Sequence, residues 1–136
     1  MALLGKKAFA SRIAQAVDAS LEPNEQVTVS LWTRDPKGDL ARAVFGLLAE
    51  ARVQSFILTL TDQRVVVHQG NNFDARKSTL LGSYPRDRVS VLRAHPRNKP
   101  SHLDLRFGPE KDARFTVQLL WRGEAKAFAD GLGAPS

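Results

Sequence analysis

The chain has 136 residues, a length typical of one domain, and 43% of them are apolar, so it can bury a core. It has no cysteine, which excludes disulfides, thiolate metal sites and a cysteine nucleophile. The formal net charge is +6, which favours contact with anionic surfaces.

The N-terminal segment does not resemble a signal peptide, because Lys6, Lys7 and Arg12 interrupt it. The apolar runs of the chain are shorter than a membrane span requires. We therefore expect a cytoplasmic protein, with peripheral attachment to a membrane as the alternative.

Two amphipathic helices are predicted in the first part of the chain. Apolar residues recur at intervals of three and four over residues 3–19, and Pro23 follows them. A second helix is predicted over residues 40–52, after the good N-cap residue Asp39. The apolar face of the first helix is modest and rich in alanine, which favours packing on protein, either its own chain or a second copy, over a membrane surface.

Seven short strands are predicted from polar and apolar alternation. The first covers residues 26–33, and the others follow the second helix as a meander with short turns. They cover residues 55–61, 64–70, 79–84, 88–94, 102–107 and 113–120. A closing helix over 121–131 has Trp121 and Phe128 on one face, so we expect an antiparallel sandwich or partly open barrel covered by that helix.

Three segments resemble bacterial PH-like (pleckstrin-homology-like) and GRAM-like domains. The run Leu60-Thr61-Asp62-Gln63-Arg64, between apolar stretches, is similar to a hairpin of these domains. Residues 83–89 resemble the segment that follows that hairpin, and residues 121–132 resemble the closing helix. The resemblance implies a mainly β (α+β) fold, a seven-stranded antiparallel, partly open barrel capped by a C-terminal helix. It also implies a binding or scaffold module.

The resemblance sets the expected domain boundaries. The PH-like domain covers residues 25–132, with a helical insert at about 37–52 after the first strand. An N-terminal helix and linker precede it in residues 1–24, and residues 133–136 form a tail.

The hairpin residues Thr61, Asp62 and Arg64 have two interpretations. An aspartate in a turn bonds its own backbone, and the threonine and arginine can brace the hairpin. We favour this structural role, and contact with a ligand is the alternative.

The sequence contains no recognisable motif for catalysis. His68, His95 and His102 lack metal-ligand spacing. No glycine-rich phosphate loop or nucleophile elbow is present. We therefore predict that the protein is not an enzyme and that it uses no metal or cofactor.

The excess positive charge is concentrated in residues 76–99. This segment carries +6, the net charge of the whole chain. Its candidate ligands for an anion are Arg76, Lys77, Arg86, Arg88, Arg93, Arg97 and Lys99. Arg86, Arg88 and residues 93–99 could share one edge of the barrel and attract phosphate. A solvated basic surface is the favoured alternative, and nucleic acid is the less expected partner because few aromatic residues lie nearby.

These observations predict a non-catalytic module that binds protein, with self-association through its helices as one form. The alternative is a module that binds an anionic ligand, a membrane headgroup or a nucleic-acid backbone, through residues 76–99. The predominance of arginine over lysine hints at a bacterial source.

Overall fold

A computed structural model describes residues 5–34, 55–69, 79–92, 102–108 and 111–133, and within them it contains two helices and seven strands. Helix α1 spans Gly5–Asp18 and helix α2 spans Arg122–Gly131. The strands are β1 Val27–Arg34, β2 Ser55–Thr61, β3 Arg64–Gln69, β4 Thr79–Pro85, β5 Val89–Val91, β6 His102–Phe107 and β7 Lys111–Thr116. The helix predicted over 40–52 lies outside the described residues.

The seven strands form one antiparallel sheet in the order β4-β3-β2-β1-β7-β6-β5. The first four strands and the last three are joined through β1 and β7, where Arg34 is the register partner of Thr116. Strands β4 and β5 are the two edges, so the sheet is not closed. The predicted antiparallel, partly open arrangement is confirmed.

Strand β2 is buried along its whole length, so the sheet is covered on both faces there. Cross-strand partners point to the same face, and the register therefore sets the occupants of each face. The inner face carries Leu31, Leu58 and Val67, and the outer face carries Trp32, Ile57 and His68. Helix α2 covers the inner face, on which Leu60 lies close to the end of this helix.

Helix α1 packs on the outer face of its own sheet. Its residues Ile13 and Val17 are buried in the core, and Ser20, just after the helix, contacts His68 on β3. Over residues 10–18, where the structure describes the side chains, amphipathic spacing thus places Ile13 and Val17 against the chain's own sheet, where a membrane or a second copy cannot contact them in this arrangement.

Strand β7 ends earlier than the sequence pattern predicts. Alternation continues through the buried side chains of Phe115 and Val117, but Leu119 and Leu120 are both exposed. A 3-10 turn, Leu119–Trp121, follows, and only Trp121 of its residues is buried. Two consecutive leucines cannot both face the core from a strand, and here the turn directs both of them outward.

Gly131 permits a close approach between α2 and β2. A Cβ atom added at this position would lie 2.5 Å from Cδ2 of the fully buried Leu60. We expect Gly131→Ala to lower the free energy of unfolding by about 1–3 kcal/mol, because the core must shift to admit the methyl group. Urea denaturation measures this loss.

Gly123→Ala is the matched control, because a Cβ atom at Gly123 would meet nothing within 4 Å. We expect it to be neutral or to raise stability by up to about 1 kcal/mol through helix propensity. Equal losses in the two variants would contradict the close approach.

Candidate functional site

The hairpin residues Thr61 and Arg64 bind the linker between α1 and β1. Arg64 donates to Glu25 from Nε to Oε2 (2.9 Å) and from Nη2 to Oε1 (3.0 Å). Nη2 also donates to the carbonyl oxygen of Ser20 at 2.6 Å. Thr61 donates from Oγ1 to Glu25 Oε2 at 2.6 Å. We call Glu25, Thr61 and Arg64 the hairpin clamp, because together they hold the linker against the β2–β3 turn.

Asp62 adds a second link between the same two segments. Its Oδ1 accepts from the backbone N–H of Gln26 at 3.0 Å, and its own N–H donates to the Gln26 carbonyl at 3.0 Å. Thr61, Asp62 and Arg64 therefore all bond within the chain. The Asp62 side chain bonds the linker, whereas the sequence predicted a bond within its own turn; inside the turn, Oγ1 of Thr61 accepts from the backbone N–H groups of Gln63 and Arg64.

Glu25 is a buried carboxylate whose charge the hairpin clamp stabilises. Hydrogen bonds from Arg64, helped by those from Thr61 and the Glu22 backbone, outweigh burial and lower the pKa of Glu25 from 4.5 to about 2. The carboxylate thus stays ionised down to strongly acidic conditions. It can hold the Arg64 guanidinium over the same range.

The low pKa of Glu25 predicts an acid-dependent loss of stability. The unfolded chain takes up this proton below its ordinary value of 4.5, whereas the folded chain resists it until about 2. The contribution of Glu25 to the free energy of unfolding is therefore fully present above pH 4.5 and is lost as the pH falls toward 2. This contribution is about 3 kcal/mol, at about 1.4 kcal/mol per pKa unit. Urea titrations across this range measure the slope. Glu25→Gln should flatten it, and an unchanged slope would contradict the assignment.

Arg86 and Arg88 are the anion-ligand candidates within the described residues. Both lie in the 3-10 turn Arg86–Arg88 between β4 and β5. The other five, Arg76, Lys77, Arg93, Arg97 and Lys99, lie outside the described residues. The seven are therefore not shown to form one group.

Arg86 is engaged in contacts within the fold. It donates from Nη1 to the Thr61 carbonyl at 2.9 Å and from Nη2 to the Gly131 carbonyl. The second acceptor lies at the C-terminal end of α2, where helix carbonyls carry partial negative charge. Arg86 thus ties the β2–β3 hairpin to α2, while Arg88 is exposed.

The turn that carries Arg86 and Arg88 lies at the same end of the strands as the β2–β3 turn. Pro85, just before this turn, is the register partner of Arg64, just after the β2–β3 turn. Gln69 and Thr79, which flank residues 70–78, are register partners at the opposite ends of β3 and β4. A single patch joining Arg86 and Arg88 to residues 93–99 stays a prediction, because residues 93–99 lie outside the described residues.

Leu119 and Leu120 form an exposed apolar pair that the strand prediction missed. Their exposed fractions are 69% and 63%, the largest of the big apolar side chains in the described residues. Val117 and Trp121 on either side are buried, and the Trp121 N–H donates to the Gln118 carbonyl at 2.9 Å. The pair is thus held outward on an anchored turn. The adjacent leucines after an alternating strand are the sequence signal that could have revealed it.

Within the described residues, no group of three or more histidine, aspartate or glutamate side chains is placed to hold a metal ion. Neither described helix is long and apolar enough to cross a membrane.

The outer face of β6 and β7 carries two cross-strand ion pairs, Arg106 with Asp112 and Arg114 with Asp104, both at 2.7 Å.

The strand order identifies the fold. Seven antiparallel strands in one sheet, open between β4 and β5 and followed by a helix on the inner face, match the partly open, helix-capped barrel that the sequence resemblance implies. The chain has a PH-like fold.

Among solved structures, the chain is similar to a crystal structure of a pleckstrin homology domain from Shewanella amazonensis SB2B, with 16% sequence identity and a TM-score of 0.38. The similarity covers 85% of this chain and 83% of that chain. No family model and no curated protein matches the sequence.

Proposed function

We propose that the chain is a non-catalytic PH-like module that binds protein, and that it associates with a second copy of itself through Leu119 and Leu120. The exposure of these two adjacent leucines carries the proposal. Single apolar side chains are scattered over most protein surfaces, whereas contiguous ones mark interaction sites.

The turn presents both leucines at little entropic cost. Buried Trp121 and Val117 fix it from either side, and α2 begins directly after it at Arg122. A segment that is ordered before binding loses less conformational entropy on association. The arrangement therefore suits a preformed contact surface.

A second copy is the occupant that this surface fits. In a two-fold contact the same patch meets itself, so the leucine pair of one chain supplies an apolar complement for the other. Two chains of charge +6 repel each other, which means that association must depend on apolar burial. Salt screens the repulsion, so the contact should be as strong or stronger at high ionic strength.

The expected affinity is modest. A fully buried leucine contributes about 1.5–3 kcal/mol, so four leucines that start two-thirds exposed contribute about 4–8 kcal/mol. Association costs about 4 kcal/mol or more in lost freedom of motion, which leaves at most about 4 kcal/mol and a dimer with a Kd of about 1 mM or weaker.

Sedimentation velocity over a wide concentration range tests the proposal. We expect the unmodified chain to dimerise and the double variant Leu119→Ser, Leu120→Ser to remain a 15.0 kDa monomer. Leu80→Ser is the matched control, because Leu80 is 47% exposed but lies on β4, four strands from β7. It should dimerise like the unmodified chain.

Two results would overturn the proposal: a monomeric unmodified chain, or a double variant that still dimerises. A monomer that binds anionic vesicles, and does so less tightly as salt increases, would instead favour the anionic-ligand function.

A further inference from the structure

His68 joins the end of α1 to the sheet through one hydrogen bond. Its ring is only 2% exposed, and Nε2 lies 3.1 Å from Oγ of Ser20. Nδ1 is buried and has no hydrogen-bond partner in the described part of the chain. The cross-strand neighbours of His68 are the apolar residues Ile57 on β2 and Leu80 on β4. Among the residues that the structure describes, this site thus accommodates a neutral ring and offers no hydrogen-bond partner to Nδ1.

Arg64 is the charged group that acts on His68. It lies four residues earlier on β3, on the same face, and its own charge is paired with Glu25. The residue that contacts His68 from the segment after α1 is the uncharged Ser20. The register partners of His68 on β2 and β4 are the uncharged Ile57 and Leu80. Burial is the larger cause that lowers the pKa of His68 below 6.5, and the positive charge of Arg64 is the smaller one.

We infer that α1 is an acid-released cover of the outer face of the sheet: protonation of buried His68 favours exposure of its ring to water, which separates the ring from Ser20, and the helix moves away. A protonated ring would bury an unpaired N–H and a second positive charge beside Arg64. Both penalties disappear when the ring reaches water. Movement of α1 also breaks the bond from Arg64 to the Ser20 carbonyl, but Arg64 keeps its two bonds to Glu25.

The hairpin clamp limits this movement to the helix. Glu25 stays ionised until the pH approaches its pKa of about 2, whereas an exposed histidine takes up a proton below about 6.5. Between these values the clamp holds while the His68 contact weakens. Residues 21–24 lie between the two attachments, and Asn24 there has a positive φ of 67°, which marks a turn.

Release of α1 would uncover apolar surface on both partners. Ile13 and Val17 of the helix and Trp32, Ile57 and Val66 of the sheet are all buried in the closed form. The open form thus offers an apolar face that the neutral form conceals.

Amide hydrogen exchange from about pH 7.5 to about pH 5, corrected for the intrinsic pH dependence of exchange, tests this inference. Below about pH 6.5 we expect the protection of α1 amides to fall by up to about tenfold per pH unit, while that of β2 amides stays constant. His68→Gln should remove the pH dependence. His102→Gln, a matched change on β6, should retain it.

Constant protection of α1 over this range would overturn the inference. So would parallel losses in α1 and β2, since these would indicate unfolding of the whole domain. If His68→Gln does not fold, NMR titration of the ring in the unmodified chain decides. A His68 pKa at or above 6.5 would contradict the inference, and a lower one is expected.

Discussion

Replacing Arg64 with alanine should lower the free energy of unfolding by about 3–5 kcal/mol, because it leaves a buried carboxylate without its cation. The Glu25 side chain is fully buried, and Arg64 supplies two of its hydrogen bonds at 2.9 and 3.0 Å. The same change releases the Ser20 carbonyl and so loosens the end of α1. Urea denaturation followed by circular dichroism measures the loss.

Arg106→Ala is the matched control, since it breaks a similar arginine–carboxylate pair on the surface. Arg106 and Asp112 are both about half exposed, and water screens such surface pairs, so we expect a clearly smaller loss than for Arg64→Ala. Similar losses in the two variants would mean that burial of Glu25 adds nothing to the hairpin clamp.

Replacing Phe115 with alanine should lower the free energy of unfolding by about 3–5 kcal/mol, because it leaves a cavity in the core. This is a large share of the roughly 5–15 kcal/mol that is typical of a domain. Phe115 has no exposed surface and lies at the centre of three aromatic rings. Its ring centroid is 5.9 Å from that of Phe56 and 6.2 Å from that of Phe107, both in edge-to-face geometry. Phe56 lies on β2 and Phe107 on β6, so the cavity would loosen the contact between the two halves of the sheet.

Phe115→Leu separates cavity formation from loss of the aromatic contacts. It keeps most of the side-chain volume, so we expect a clearly smaller loss than for alanine. Thermal unfolding of both variants gives the comparison. A loss below about 1 kcal/mol for Phe115→Ala would contradict the central position of this ring.

Alternation in the sequence predicted most of the sheet, because a strand with one buried face repeats every two residues. It placed β1, β2, β3, β4 and β6 within one or two residues of their observed bounds. It extended β7 too far: the adjacent Leu119 and Leu120 already break the alternation, but only the packing of Trp121 shows that both of them face solvent. Periodicity alone cannot distinguish an exposed leucine from a buried one.

The bracing role of the hairpin motif was predictable from its turn chemistry, but its partner was not. Glu25 is 39 residues from Arg64 along the chain, and a single sequence contains no information on such pairs. For the same reason Arg86 was predicted as a ligand for anions, whereas the fold brings it to the carbonyls of Thr61 and Gly131. A cluster of basic residues in a sequence indicates attraction to anions, but it does not show which of these side chains are bonded to groups within the folded chain.

The molar mass of the unmodified chain, measured by light scattering after size exclusion at low and at high salt, tests the proposed self-association most directly. We expect the average molar mass to exceed 15.0 kDa at both salts as the concentration approaches about 1 mM, with equal or greater dimer content at high salt, because apolar contacts are not screened. A mass of 15.0 kDa at every concentration and both salts would contradict it.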